Sequence, residues 1–509
     1  MNLVRVIDYW RQVRPAEVAL VCGDRRVTWT QFDQRSTAVA VGLRALGVRS
    51  GDRVAILAVN RVEWCVLAIA ILKAGAYIVP LNDRLAPREI LEILSDADVA
   101  AVATDADLGP KLTEATAVLD FHVIEFDAPG VHAGSVSYAS LEQSTGTLDR
   151  PTIGGDDIAL IAYTSGTTGL PKGVMLTHHN VLAQAADRNI VYGWSAETLR
   201  TLLCVPLSVT GGIVTNFLLT YVAGGCLYLE RGYDASRILA LIVRERITCM
   251  MGASIMWELL TQVDGFADAD LSSLTTALGG GQPAPPFDLF AEKGVVFHQV
   301  YGCTEAAAMV TDLPPHLLPH KPRSIGLPSA HTAVRLVDDG GTDVATGEVG
   351  EIWVCGPTVM KGYWRNPAAT AETITDGWLH TGDLAVQDED GLLEWIDRKK
   401  DMYRSGGFNV YPAEVERVLA SLPALVECAV VAVSDDKWDQ VGAAIIRTTG
   451  PVSTADVIAY CKSQLATYKV PRYVVNRVEP LPRNASGKIM RRILGSEYAS
   501  LPETQPALF

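Results

Sequence analysis

Through most of the chain, short runs of β-branched and aliphatic residues alternate with longer segments of helical periodicity. Residues 53–59 predict a buried strand, residues 63–73 a helix and residues 77–80 another strand. The same alternation recurs twice. A strand predicted at 158–163 is followed by a helix from about residue 180, and a strand predicted at 226–229 is followed by a helix at 235–246. Strands that alternate with helices imply parallel sheets covered on both faces, with ligands bound beyond the carboxyl ends of the strands.

The pattern changes near residues 347–360, where short strands such as 351–354 are separated by turns and indicate a small antiparallel β region. This region ends near 393–396 and is followed by a charged run at 397–401. Beyond it, helices at 412–422 and 455–464 and strands at 428–433, 442–446 and 473–478 form a compact α+β segment. The predicted fold is therefore α/β, with a large N-terminal domain (residues 1–397) of parallel-sheet subdomains plus the small β region. A small mobile α+β domain (residues 398–509) follows.

Composition narrows the function classes. The 509 residues are 49% hydrophobic and 20% charged, and the formal net charge is -15. A negative field of this size disfavours nucleic acid and anionic membranes as partners. If the substrate is a nucleotide, the positive charge that meets its phosphates must be concentrated locally. The nine cysteines form no C-x-x-C pair, which favours reduced thiols packed as small hydrophobes. Neither a signal peptide nor a transmembrane segment is predicted, and we expect a cytoplasmic protein.

The most informative segment follows the strand predicted at 158–163. It reads TSGTTGLPKG over residues 164–173, a composition in which glycines free the backbone amides, hydroxyls donate to phosphate oxygens and a lysine offsets charge. It is not a Walker motif, since Gly173 stands where Ser or Thr should follow the lysine. The candidate phosphate-binding residues are Thr164, Ser165, Gly166, Thr167, Thr168, Gly169 and Lys172.

Four further motifs follow in order: YGCTE at 301–305, WLHTGD at 378–383, DRKKD at 397–401 with GGFNVYPAE at 406–414, and NASGK at 484–488. With the loop at 164–173, they resemble the adenylate-forming enzymes, the family of acyl-CoA synthetases, peptide-synthetase adenylation domains and luciferases. The resemblance covers nearly the whole chain. It implies that the protein uses ATP and Mg²⁺ to convert a carboxylic acid into an acyl-adenylate.

The resemblance also implies roles in nucleotide binding. Tyr301, beside Gly302, would pack on adenine, and Thr304 would contact the α-phosphate. Glu305 would hold Mg²⁺ together with Thr164, which suits a hard cation that prefers oxygen ligands. The adenine-binding segment would include Gly280, Gly281 and Gln282.

In the second half of the chain, the resemblance implies that Asp383 accepts hydrogen bonds from both ribose hydroxyls. Arg398 would contact the ribose or the phosphates, and Lys400 falls at the hinge about which the small domain rotates. Lys488 would enter the active site during adenylation, where an ammonium can bridge the substrate carboxylate and the α-phosphate.

The predicted acyl pocket departs from the family pattern. Acyl-CoA synthetases commonly carry an aromatic residue and a histidine where this chain has Ser208 and Val209. Two interpretations remain open: a larger and more apolar pocket for a bulky or alicyclic acid, which we favour, or altered chemistry in the second step. Five candidate pocket residues are Ser208, Val209, Thr210, Gly211 and Val300.

For the second step, the resemblance implies that coenzyme A accepts the acyl group. Candidate contacts are Ser405, Gly406, Gly407, Trp438 and Lys469. The leading hypothesis is thus an acyl-CoA synthetase of fatty or aromatic acid metabolism, a monomer or a homodimer. The alternatives are an adenylating enzyme that loads a carrier protein or another nucleophile, and a nucleotide-binding protein without activity. Residues 208–212 contain no aspartate to bind an amino group, which disfavours an α-amino acid.

Overall fold

The computed structural model describes residues 1–127, 130–164, 171–280, 286–422, 424–435, 437–483, 488–505 and 507–508. The chain divides into two compact units, each made of two stretches of sequence. Unit 1 comprises Met1–Val334 and Val354–Leu379, and unit 2 comprises Arg335–Trp353 and His380–Phe509. The boundary between residues 397 and 398 stays a prediction.

Helices and strands alternate through unit 1, and unit 2 is richer in strands. The α-helices are α1 (Val4–Val13), α2 (Trp29–Ala45), α3 (Val62–Lys73), α4 (Pro87–Ala97), α5 (Thr113–Val118), α6 (Tyr138–Glu142), α7 (His178–Tyr192), α8 (Leu219–Ala223), α9 (Ala235–Glu245), α10 (Ser254–Thr261), α11 (Phe287–Ala291), α12 (Pro367–Thr373), α13 (Pro412–Leu419), α14 (Thr454–Gln464), α15 (Arg491–Glu497) and α16 (Leu501–Thr504). The strands are β1 (Val18–Cys22), β2 (Arg25–Thr28), β3 (Arg53–Leu57), β4 (Tyr77–Pro80), β5 (Ala101–Thr104), β6 (His122–Glu125), β7 (Val136–Ser137), β8 (Ile158–Thr164), β9 (Lys172–Thr177), β10 (Arg200–Leu203), β11 (Cys226–Leu229), β12 (Cys249–Met251), β13 (Thr276–Gly279), β14 (Phe297–Tyr301), β15 (Thr311–Leu313), β16 (Ser324–Pro328), β17 (Ala333–Val337), β18 (Val349–Cys355), β19 (Gly362–Tyr363), β20 (Ile374–Thr375), β21 (Trp378–Gln387), β22 (Leu393–Arg398), β23 (Tyr403–Ser405), β24 (Phe408–Val410), β25 (Leu425–Asp435), β26 (Asp439–Thr448) and β27 (Tyr473–Asn476).

One sheet of unit 1 has the strand order β19-β9-β8-β4-β3-β5-β6-β7. It is parallel from β8 through β7, and β9 and β19 add antiparallel strands at one edge. Helix α3 is buried along its whole length, as expected for a helix that is apolar on every side. The phosphate-loop motif therefore connects two paired strands, β8 and β9, at the edge of a well-packed layer.

A second sheet of unit 1 has the order β16-β15-β14-β13-β12-β10-β11-β1-β2. Its strands are parallel from β14 to β1, and antiparallel pairs form at both ends. Strand β14 ends at Tyr301, so the YGCTE motif begins at the carboxyl end of a parallel strand. Ligands bind at such ends in open α/β sheets.

In unit 2, β17, β18, β21 and β22 lie side by side in that order. A separate sheet has the order β24-β23-β26-β25, with β27 parallel to β26. Helix α13 packs its buried Val415 and Leu419 into a cluster with Val430 and Ile446 of this sheet. Strands β21 and β22 are antiparallel, and unit 2 thus combines a β part with an α+β part.

The predicted fold class is confirmed: the structure is α/β with a large sheet-containing N-terminal part and a small C-terminal part. Among the helices that the structure describes, none combines the length and hydropathy that a bilayer crossing requires.

Candidate active site

The hairpin of β8 and β9 holds the two described ends of the phosphate-loop motif. Thr164 and Lys172 lie opposite each other in this hairpin and are the last residue pair of the two strands. A Cβ at Gly173 would lie 2.8 Å from Ile161 Cγ2 and 3.0 Å from Tyr163 Cζ, so only glycine fits there without displacement. The predicted residues Ser165, Gly166, Thr167, Thr168 and Gly169 lie outside the described residues.

Lys172 belongs to a chain of polar contacts in unit 1. Its Nζ lies 5.0 Å from the ring centroid of Tyr363, a cation–π distance. The Tyr363 hydroxyl donates to Glu305 Oε1 at 3.1 Å. Burial raises the pKa of Tyr363, and the nearby Glu305 carboxylate raises it further. Tyr363 is thus a proton donor that links the predicted phosphate lysine to the predicted magnesium ligand.

The YGCTE motif forms a tight turn after β14. Thr304–Ala306 is a single 3₁₀ turn, followed by Ala307 and Ala308 at φ of 54° and 92°. A Cβ at Gly302 would lie 1.8 Å from the Ala308 carbonyl oxygen, so the turn requires glycine there. The Glu305 carbonyl accepts a hydrogen bond of 2.8 Å from the Met360 amide. The positions of Thr304 and Glu305 are therefore fixed by the backbone.

The predicted acyl segment contacts this turn directly. The hydroxyls of Thr210 and Thr304 are 3.0 Å apart. Ser208, Val209, Thr210 and Gly211 are all half-buried. A π-helix spans Gly211–Leu218, a feature that is frequent at functional sites.

The described part of the predicted adenine segment is Gly280, since Gly281 and Gln282 lie outside the described residues. A Cβ at Gly280 would lie 2.4 Å from the Val300 carbonyl oxygen, so the two backbones approach closely. The Val300 side chain packs against a cluster of Ala185, Leu219 and Met309.

Unit 2 brings two of the predicted nucleotide contacts together. Asp383 and Arg398 pair across β21 and β22, and Arg398 Nε lies 2.6 Å from Asp383 Oδ1. Trp395 Nε1 donates to the same oxygen at 3.4 Å. The Asp383 side chain is 1% exposed, and its orientation is fixed by these two donors. Trp395 was missed in the sequence because its contact depends on strand register.

The predicted hinge begins at a buried carboxylate. Asp397 accepts hydrogen bonds of 2.7 Å from the backbone amides of Arg398 and Ala413. Burial raises the pKa of Asp397 to about 6. Lys399 forms ion pairs with Asp339 and Glu351 at 2.8 and 3.0 Å, whereas Lys400 is exposed.

The predicted coenzyme A contacts fall into two groups within unit 2. The chain reverses direction between β23 and β24 at Ser405, Gly406 and Gly407. The Gly406 amide donates to the Trp438 carbonyl at 2.9 Å. A Cβ at Gly406, where φ is 58°, would lie 2.5 Å from the indole ring. Lys469 pairs instead with Glu414 at 2.7 Å. Lys488 is exposed and follows residues 484–487, which lie outside the described part.

The turn at the end of β14 carries a hydroxyl and a carboxylate, and Tyr363 links that carboxylate to Lys172. This arrangement at the end of a parallel sheet is typical of a nucleotide-using enzyme of the adenylate-forming class. The family model for the AMP-binding enzyme matches residues 7–364, and the model for the AMP-binding enzyme C-terminal domain matches residues 414–488. The chain belongs to the AMP-binding enzyme family.

The proteins reported next are acyl-CoA ligases, and their similarity to this chain extends over nearly their whole length. The chain is 38% identical over 489 residues to the feruloyl-CoA synthase of Amycolatopsis sp, covering 94% of this chain and 96% of that protein. It is 35% identical over 533 residues to the long-chain-fatty-acid–CoA ligase of Salmonella typhimurium, covering 97% and 94%. The structure resembles the o-succinylbenzoate CoA synthetase of Bacillus subtilis in complex with its acyl-adenylate intermediate, with a TM-score of 0.86, 31% identity and coverage of 96% and 97%.

The protein is an AMP-forming acyl-CoA ligase. It activates a carboxylic acid with ATP as an acyl-adenylate, releases pyrophosphate and transfers the acyl group to coenzyme A. ATP, Mg²⁺ and coenzyme A are the cofactors of this class. The motifs predicted the adenylation step and the family resemblance predicted the transfer to coenzyme A; both steps are confirmed.

Proposed function

We propose that the carboxylic acid is bulky and apolar, either aromatic or alicyclic. The observation that carries this proposal is the 3.0 Å contact between Thr210 and Thr304, because it sets the acyl segment beside the turn that the family uses for the α-phosphate. Ser208 and Val209 immediately precede Thr210. Since these smaller side chains stand where the family has an aromatic ring and a histidine, they leave more room, and Val209 contributes an apolar wall. The similarity to a feruloyl-CoA synthase supports an aromatic acid.

In the first step, we propose that one carboxylate oxygen of the acid attacks the α-phosphorus in line. A P–O bond to the acid forms, the P–O bond to the β-phosphate breaks, and pyrophosphate leaves. Roughly four negative charges of ATP and one of the acid must be offset, so fixed positive groups and hydrogen-bond donors carry most of the catalysis. Lys172 and Lys488 supply charge, and Thr304 donates to the α-phosphate.

The ribose and the adenine are held by separate groups in the proposal. Asp383 accepts from the ribose hydroxyls, and Arg398, which contacts Asp383, donates to the ribose or the phosphates. Tyr301, at the end of β14, stacks on adenine. The roles of residues 165–169, 281 and 282 stay predictions.

The donor set of the turn fits Mg²⁺. Glu305 offers a carboxylate whose orientation is held by Tyr363, and Thr164 offers a hydroxyl at the end of β8. A magnesium ion bound to nucleotide phosphates needs few protein ligands, because phosphate and water oxygens complete its octahedron. When bound, the ion would offset charge on the phosphates that leave.

In the second step, the thiol of coenzyme A loses its proton to solvent and the sulfur attacks the acyl carbonyl. A C–S bond forms, the C–O bond to AMP breaks, and AMP leaves with the electron pair of that bond. We propose that this step proceeds without an imidazole at position 209, where Val209 stands. The turn of Ser405, Gly406 and Gly407 beside Trp438 is the proposed contact for the pantetheine arm, with Lys469 as a further contact.

An acid-dependent assay of AMP release tests the proposal. Ferulate, benzoate, cyclohexanecarboxylate and decanoate are each supplied with ATP and Mg²⁺, with and without coenzyme A. We expect coenzyme A to stimulate AMP release roughly tenfold or more, with higher kcat/KM for the cyclic acids than for decanoate. A preference for decanoate would contradict the proposed pocket. Release that coenzyme A does not stimulate would indicate a carrier protein or another nucleophile as acceptor.

We also propose a cytoplasmic enzyme. All nine cysteines lie among the described residues, and none forms a disulfide, as is usual in reducing compartments.

A further inference from the structure

The contact between Thr210 and Thr304 joins two parts of the chain with different proposed tasks. Their hydroxyl oxygens are 3.0 Å apart and either can be the donor. Thr210 belongs to the acyl segment, and Thr304 belongs to the turn proposed to bind the α-phosphate. Both side chains are half-buried, so the pair lies at the edge of the protein interior where a ligand can reach it.

The backbone holds both hydroxyls in place. On one side, Thr210 directly precedes the π-helix Gly211–Leu218. Asn216, which is 1% exposed, donates to the Gly211 carbonyl at 2.7 Å. A Cβ at Gly211 would lie 3.0 Å from Met251 Cε, so Met251 packs closely against this segment.

On the other side, Thr304 begins the 3₁₀ turn that Gly302 and the Met360 amide fix. The 3.0 Å separation is therefore a property of two constrained backbones. Two flexible side chains that met by chance would not be held in this way.

The chemistry of a hydroxyl determines the direction of the hydrogen bond between Thr210 and Thr304. A threonine hydroxyl has one hydrogen to donate and two lone pairs to accept with. Phosphate oxygens only accept at neutral pH. When Thr304 donates its hydrogen to a phosphate oxygen, the bond between the threonines must therefore run from Thr210 to Thr304.

We propose that Thr210 is a positioning residue for adenylation. It donates to Thr304, so that the Thr304 hydrogen points toward the α-phosphate. This inference rests on the proposed role of Thr304. It adds a direct link between the acyl segment and the phosphate turn, through which a well-seated acid helps to orient the α-phosphate.

Three variants test it. Thr210→Val keeps the shape and removes the hydroxyl, and Thr210→Ser restores the hydroxyl. Thr220→Val is a matched control, because the Thr220 hydroxyl donates to the Thr201 hydroxyl at 2.6 Å in a buried pair between α8 and β10. AMP binding by isothermal titration calorimetry reports on the α-phosphate without any acid. ATP–pyrophosphate exchange reports on adenylation.

We expect Thr210→Val to weaken AMP binding roughly tenfold and to lower kcat for exchange roughly tenfold, because an oriented hydrogen bond to a charged group is lost. The KM for the acid should change by less than about twofold. Thr210→Ser should recover wild-type values to within about twofold, since it regains the donor. Thr220→Val should match the wild type in both assays.

Unchanged AMP affinity in Thr210→Val would overturn the inference, as would an equal loss in Thr210→Ser or Thr220→Val. A failure of the proposed function looks different: the wild type would then prefer decanoate to the cyclic acids of the panel. The AMP measurement still decides the role of Thr210 in that case.

Discussion

Tyr363 lies between two residues of the candidate site in unit 1, Lys172 and Glu305. It contacts Lys172 through its ring and Glu305 through its hydroxyl. The ring attracts the Lys172 ammonium, and the hydroxyl donates to the Glu305 carboxylate. Both charged groups are therefore held at defined positions. We therefore expect Tyr363 to act on Glu305 and not on the substrate itself.

Replacing Tyr363 by phenylalanine tests this role. The ring under Lys172 is kept, and the hydrogen bond to Glu305 is lost. We expect kcat for ATP–pyrophosphate exchange to fall roughly threefold to tenfold, with a higher Mg²⁺ concentration needed for half-maximal activity. The measurement is exchange rate against Mg²⁺ concentration at saturating ATP.

Tyr192→Phe is the matched control. Tyr192 donates to Asp312 Oδ2 at 2.6 Å, which is the same kind of tyrosine–carboxylate bond outside the motifs. We expect it to alter stability and leave the Mg²⁺ dependence unchanged. If Tyr363→Phe shifts the Mg²⁺ dependence no more than the control does, Tyr363 has no role in holding Glu305.

The candidate site could be predicted from the sequence only where its residues form local motifs. Lys172, Thr304, Glu305, Asp383 and Arg398 were all named from short patterns. Tyr363 was not, because it enters the site through a two-residue strand that pairs with β9, far away in sequence. The contact of Thr210 with Thr304 spans 94 positions, and no periodicity reports such a pair.

At the scale of elements, α1 and α7 are joined through His178. This residue is the first of α7, it is 2% exposed, and its Nδ1 accepts a hydrogen bond of 3.2 Å from the Leu3 amide. Burial lowers the pKa of His178 to about 4. A proton there would remove the acceptor and add positive charge at a helix N-terminus, and both effects are unfavourable.

The stability of unit 1 should therefore depend on pH. An unfolded histidine titrates near 6.5, and folded His178 stays neutral to about pH 4. Below pH 6.5 the unfolded chain binds a proton that the folded chain does not, so stability falls as pH falls. The expected loss between pH 7.5 and pH 5 is about 2 kcal/mol, measured by urea unfolding.

His178→Asn keeps an acceptor and removes the titration, so it should lose less stability than the wild type over this pH range. His179→Asn is the control, since His179 is the neighbouring residue and is exposed; we expect it to behave as the wild type. Equal pH dependence in all three proteins would contradict the assignment.

Elements with strong apolar patterns were predicted closely. The bounds predicted for β4 and β11 agree with the structure, and α3 begins one residue earlier than predicted. Strands β25 and β26 extend well beyond the predicted runs, because they pair with each other along most of their length. Cross-strand pairing stabilises positions whose own sequence gives no strand signal.

At the scale of the whole molecule, the two half-reactions should respond differently to the loss of Lys488. We expect Lys488→Ala to reduce acid-dependent ATP–pyrophosphate exchange by roughly 10²-fold or more, since a charge aimed at the transition state is lost. Thioester formation from a supplied acyl-adenylate and coenzyme A should keep most of its rate. Rapid-quench assays of each step make the comparison.

Lys462→Ala is the matched control, because Lys462 is another exposed lysine of unit 2, at the end of α14. It should leave both steps unchanged. An equal loss of both half-reactions in Lys488→Ala would show that this lysine does not act in adenylation alone.

Unit 2 is assembled from two stretches of sequence, and this fixes the order in which its strands can pair during synthesis. Strand β18, with its buried Ile352, emerges from the ribosome before its neighbour β21 emerges. At about 5–20 residues per second, the stretch between them takes roughly 1–5 s to synthesise. For that interval the nascent chain presents one unpaired apolar strand edge, the kind of segment that associates with other chains unless a chaperone covers it.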